Sequence, residues 1–90
     1  MRKDIDKTYI RCYVVKEKLD IKLFNTGVQV YDCSIPNKKA LVLCVCATMS
    51  EKMAAEKAVE AVDNEHNIPI KIVYDSDPDI PKYLAGDYDV

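Results

Sequence analysis

Ala40–Thr48, ALVLCVCAT, runs nine residues without a charge. A stretch that is apolar on both alternating sets of positions suits a central strand covered from both sides. Directly after it, Thr48-Met-Ser-Glu51 has the form of a capping box, with Ser50 as an alternative helix start. From Ser50 to about Glu65, Ala54, Ala55, Ala58, Val59, Ala61 and Val62 recur at helical spacing as one broad stripe. Glu51, Lys52, Glu56, Lys57, Glu60 and Asp63 supply the wet side. A second apolar run, Ile68–Tyr74 (IPIKIVY), follows. A strand, a helix and a strand with short joints predict a right-handed crossover between two parallel strands.

Upstream, Thr8–Lys16 (TYIRCYVVK) is rich in β-branched and aromatic residues and predicts a first strand. Its alternation would put Ile10, Cys12 and Val14 on one face and Tyr9, Arg11 and Tyr13 on the other. Lys16-Glu-Lys18 reads as a polar break. Asp20–Phe24 and Val28–Cys33 flank Asn25-Thr-Gly27, which predicts a hairpin of second and third strands. Ser34–Lys39, punctuated by Pro36-Asn37, reads as a loop. The expected fold is α+β: a single mixed five-stranded sheet, an antiparallel meander followed by a parallel crossover, with one helix on one face. Residues 1–90 form a single domain in this reading, with 75–90 as an acidic C-terminal tail.

One helix covers one side of such a sheet. The uncharged strand offers Leu41, Leu43 and Val45 to one side, and Val42, Cys44 and Cys46 to the other. The second side needs a cover. It comes either from Ile80, Tyr83 and Leu84 of the tail or from a second copy of the chain, and a homodimer is the expectation.

Hydrophobic residues at 49% and charged residues at 31% place the chain among folded globular proteins and away from disordered ones. No apolar run approaches the roughly 18 residues a bilayer crossing needs, so no membrane role is expected. Met1–Lys7 carries charge without the apolar core of a secretory signal, which makes a cytoplasmic location the expectation. The four cysteines fit that compartment. Cys44 and Cys46, two apart on one strand face, are poorly placed for a disulfide, and Cys12 and Cys33 sit among apolar neighbours. Buried free thiols are expected.

The net charge of −2 is unevenly spread. Residues 1–50 carry nine Lys and Arg against five Asp and Glu, whereas residues 51–90 carry four against ten. An acidic end argues against direct nucleic-acid binding and suits a basic protein partner.

Few residues suggest chemistry. Cys46 ends an apolar strand just before a helix start, where free amides favour anions and can lower a thiol pKa. The segment VLCVCATMSEKMAAEKAVEAV, residues 42–62, resembles the cysteine loop of the IIB components of sugar phosphotransferase systems. That family carries a phosphocysteine at the end of its first strand. The resemblance implies an anion-binding turn at Cys46, Thr48 and Ser50. It departs from the family in having no glycine between Cys46 and Ser50 and in placing the strand fourth.

A metal site at Cys44 and Cys46 lacks further ligands, since the one histidine, His66, lies past the helix, where it would oppose the helix's negative end. Asp75-Ser-Asp77-Pro-Asp79 has calcium-loop spacing without the required glycine and late glutamate. No metal and no cofactor are expected.

Six tyrosines against one phenylalanine and no tryptophan give the remaining clue, because Tyr and Arg are enriched at interfaces. The reading is a non-enzymatic protein-binding module, an inhibitor or adaptor. Its surface would combine Tyr9, Arg11 and Tyr13 with Asp75, Asp77, Asp79, Tyr83, Asp87, Tyr88 and Asp89. The alternatives are a small-ligand or phosphoryl-carrying domain using Cys46, Thr48 and Ser50, and a structural subunit of a larger assembly.

Overall fold

The computed structural model describes residues 3–33, 41–64 and 67–87, with residues 3–10 described by their helical backbone alone. The chain is α+β, but it holds three strands and three helices among the described residues: α1 (Lys3–Lys22), β1 (Gln29–Asp32), β2 (Val42–Cys46), α2 (Met49–Ala61), β3 (Ile70–Tyr74) and α3 (Ile80–Leu84). The sheet order is β1-β2-β3. β1 pairs antiparallel with β2, Val30 opposite Cys44, and β2 pairs parallel with β3, Cys44 opposite Ile72.

The strand–helix–strand half follows the sequence reading. β2 is buried at all five positions, as a central strand between two layers must be. Thr48 is the N-cap of α2: its hydroxyl accepts from the Glu51 amide at 3.1 Å, while the Glu51 carboxylate reaches back to the Ala47 amide at 2.7 Å. At the far end, Val62 returns to extended backbone. The Asn64 side chain both accepts from the Ile68 amide (2.8 Å) and donates to the Ile68 carbonyl (2.9 Å), which sets the entry to β3.

The five-stranded expectation fails in the first third of the chain. Thr8–Lys16 and Asp20–Phe24 are not strands: residues 3–22 form α1, and the meander reduces to the β1–β2 pair. The reason is a stripe at helical spacing. Cys12, Val15, Leu19 and Leu23, separated by three, four and four residues, are all at most 5% exposed. Burying that stripe outweighs the weak strand preference of Tyr, Val and Ile. Lys16-Glu-Lys18 is then no break but helix surface, where Lys16 pairs with Asp20 one turn on at 2.6 Å.

Asn25-Thr-Gly27 is likewise not a hairpin. It ends the helix: the Leu23 amide still donates to the Leu19 carbonyl (2.9 Å) and the Thr26 amide to the Leu23 carbonyl (3.1 Å). Gly27 then takes φ +85°, a left-handed value that glycine adopts at no steric cost. A Cβ there would stand 2.7 Å from the Glu51 carboxylate, so the turn after α1 lies against the start of α2.

Two cores flank the sheet. On one face, Val42, Cys44 and Cys46 meet Cys12, Val15, Leu19 and Leu23 of α1 and its end, and Ala55, Ala58 and Val62 of α2 and its end. The two helices are tied to their surroundings by the Cys12 thiol donating to Asp32 (2.9 Å) and by Lys18 on Asp63 (3.4 Å). On the other face, Leu41, Leu43, Val45 and Val73 meet Cys33, with Tyr31, Ile80 and Tyr83 packed against them. The C-terminal segment therefore supplies a cover for the second face, and part of the expected tail is the ordered helix α3. The readings at Ser34–Lys39, His66, Tyr88 and Asp89 lie outside the described residues.

Candidate functional site

α1 carries the most unusual surface. Its inner stripe is dry, yet its outer side is also apolar: Tyr13 is 54% exposed, Val14 41%, Ile21 77% and Phe24, in the turn beyond the helix, 82%. At 100° per residue, Val14, Glu17, Ile21 and Phe24 lie on the side directly opposite Cys12, Val15, Leu19 and Leu23. Glu17, Asp20, Ile21 and Phe24 line a shallow groove of about 340 Å³. Its flanks differ in charge. Asp20 and Lys16 stand beyond Tyr13 on one side, whereas Arg11, Lys18 and Lys22 line the other. Scattered exposed apolar residues are ordinary, but four large ones gathered on one side of a helix and its closing turn, with Glu17 among them, are not.

The residues singled out from sequence do not form one surface. Arg11 and Tyr13 are both exposed, but on a helix two positions apart means about 200° of rotation, so they face different ways. The side chain of Tyr9 is outside the described residues, and its backbone is helical. Asp75, Asp77, Asp79, Tyr83 and Asp87 belong to β3's exit and α3, and Tyr83 packs on the sheet face opposite to the one α1 covers. Among these, Asp75, Asp79 and Asp87 are exposed. Asp77 is half-buried and accepts from the Asp79 amide at 2.8 Å. Tyr83 lies under Lys71, whose ammonium is 5.6 Å from the ring centre.

The Cys46 turn has the opposite of the required electrostatics. The Cys46 side chain is fully buried, and its pKa is raised, first by burial and then by the Glu51 carboxylate, with Lys52 opposing. The position an anion would take at the start of α2 is filled by the protein's own Glu51, on the Ala47 amide. Thr48 is engaged as the cap, and Ser50 is exposed. All four cysteines are free and buried. Burial pushes the Cys44 thiol up to about 12, with Cys46 and Asp20 adding, and the Cys33 thiol up to about 11, with Asp32 adding. Among the described residues, no group of three or more His, Cys, Asp or Glu is arranged to hold a metal ion, and no helix is long and apolar enough to cross a membrane.

Ile21 and Phe24 were missed as site residues by the strand reading, which gave them no outward face. Their signal was available: Val14, Ile21 and Phe24 recur at seven and three residues, a second helical stripe out of phase with the inner one. Compared with known proteins, the chain matches no family model, no curated protein and no solved structure.

Proposed function

We propose that this protein is a small non-enzymatic protein-binding module, an inhibitor or adaptor, whose main contact surface is the outer side of α1. The observation that carries the reading is the run of Tyr13, Val14, Ile21 and Phe24, exposed on a helix whose core obligations are already met by its other side. Exposing four large apolar side chains forgoes roughly 25 cal/mol for each Å² of apolar surface left in water. A partner that covers them recovers that term, with Phe24 and Tyr13 as the anchoring aromatics.

A second surface suits the same class of function. Asp75, Asp79 and Asp87 stand exposed around α3 with Lys82, giving a net acidic patch fitted to a basic partner. The phosphoryl-carrying alternative draws less support, because a group carrier needs an accessible thiolate and Cys46 offers a buried, neutral thiol.

The test is capture of partners from the native host by the tagged chain and by an Ile21→Glu/Phe24→Glu variant. Both positions point to water, so the variant is expected to keep its fold, which circular dichroism checks. The reading expects captured proteins to be lost from the variant. Identical capture by both chains rejects α1 as the contact surface. If Asp75→Asn/Asp79→Asn/Asp87→Asn loses them instead, the acidic patch carries the binding.

A further inference from the structure

The outer side of α1 is complementary to itself, and from this we infer that the chain pairs with a second copy through parallel α1 helices. The inference rests on the reading of α1 as a contact surface and names one occupant for it.

The positions fall into a heptad frame. Val14 and Ile21 take one seam position, and Glu17 and Phe24 take the other. The core-facing residues Cys12, Val15, Leu19 and Leu23 occupy the opposite side of the same frame, so the seam is free of the fold's own packing. β-branched residues at the Val14 and Ile21 positions favour two parallel strands.

Charge then chooses the direction. Lys18 and Arg11 flank the seam on one side, and Tyr13 and Asp20 on the other, where Asp20 is already paired with Lys16 at 2.6 Å. In a parallel pair the two unlike flanks face each other. Glu17 enters the hole formed by Val14, Glu17, Lys18 and Ile21 of the second copy, which brings its carboxylate beside that copy's Lys18. Tyr13 meets the same Lys18. In an antiparallel pair like flanks meet, with Lys18 beside Lys18 of the second copy and Asp20 beside its Asp20. The apolar seam is common to both directions; the parallel one sets Glu17 beside the second copy's Lys18 and keeps Lys18 from Lys18 and Asp20 from Asp20.

The described seam spans little more than two heptads, and the facing Glu17 residues weaken its middle layer. Such a contact belongs to the small, transient class of interfaces, with self-association in the micromolar range.

Sedimentation equilibrium of the full chain, from about 5 to about 300 µM, reads this directly. The mass is expected to rise from 10.2 kDa towards twice that value. Ile21→Glu, and independently Phe24→Glu, are expected to hold it at the monomer with an unchanged urea midpoint. Glu17→Lys and Lys18→Glu are each expected to weaken pairing by roughly tenfold, and the double variant to restore it to within about threefold. Restoration separates pairing from the intrachain Lys18–Asp63 contact, which Glu17→Lys does not repair.

A monomer at every concentration overturns the inference, while the host-capture experiment still stands as the test of α1 as a binding surface. Dimers indifferent to Ile21→Glu and Phe24→Glu overturn it by moving the contact elsewhere, for example to the open edge of β3. Dimers lost in both single reversals but not regained in the double variant overturn the parallel arrangement.

Discussion

α1 and α2 lie on the same face of one sheet and bury comparable apolar stripes, yet their outer sides differ. α2 shows solvent Glu56, Lys57 and Glu60, a polar back, with Met49 (69% exposed) and Met53 (55%) the large apolar residues left out in its first turns. α1 shows Tyr13, Val14, Ile21 and Phe24. The fold accounts for α2 apart from Met49 and Met53 at its start. It accounts for the inner half of α1 and gives Tyr13, Val14, Ile21 and Phe24 no role in the core.

The largest expected effect breaks the comparison at α1's inner side. Leu19 is fully buried, so Leu19→Ala is expected to cost about 2–5 kcal/mol in urea unfolding, whereas Ile21→Ala two residues away stays within about 0.5 kcal/mol at low protein concentration. Equal costs would mean that the two sides of α1 are not distinct.

The cores of both faces hold neutral thiols, and this gives stability a pH dependence. An unfolded thiol loses its proton near about 8.5, whereas Cys33 and Cys44 keep theirs to about 11 and about 12. Their contribution is complete below the unfolded value and is lost as pH rises towards the folded ones. Unfolding free energy is therefore expected to fall above about pH 8.5, by up to about 1.4 kcal/mol per pH unit for each thiol. Urea titrations at intervals from neutral to alkaline pH measure the slope, and Cys44→Ala should make it shallower. A flat profile would contradict burial of the thiols.

Half of this architecture was readable in the sequence because its signals agreed with one another. The uncharged run at 40–48, the Thr48–Glu51 cap and the alanine stripe all pointed to β2 and α2, and Ile68–Tyr74 contained β3. In Thr8–Phe24 the signals disagreed. Tyr, Val and Ile favour strands locally, while Cys12, Val15, Leu19 and Leu23 keep a helical period that only a partner sheet rewards. Asn25-Thr-Gly27 suits a hairpin and a helix end equally well, and the helix won because the stripe before it is buried. The outer stripe proposed as a contact surface was illegible for the same reason. Alternation placed Arg11 with Tyr13 and hid the relation between Val14, Ile21 and Phe24.

A smaller effect sharpens the other face of the sheet. Tyr83 is half-buried over Leu43 and Val45's side, so Tyr83→Ala is expected to cost about 1–2 kcal/mol and to raise binding of an apolar dye. No change in either would mean that α3 does not cover that face. Smaller again is Thr48→Ala, which removes the hydroxyl on the Glu51 amide and is expected to cost about 1 kcal/mol by the same unfolding assay.

The central claim is that residues 11–22 form a helix with a dry inner side and an apolar outer side. Backbone carbon chemical shifts of the assigned chain test it most directly. Helical Cα and Cβ deviations, continuous from Arg11 to Lys22, are the expected result, with slow amide exchange through that segment. Extended-type deviations over Thr8–Lys16, broken at Lys16–Lys18 and resumed at Asp20–Phe24, would contradict it and remove the binding surface with it.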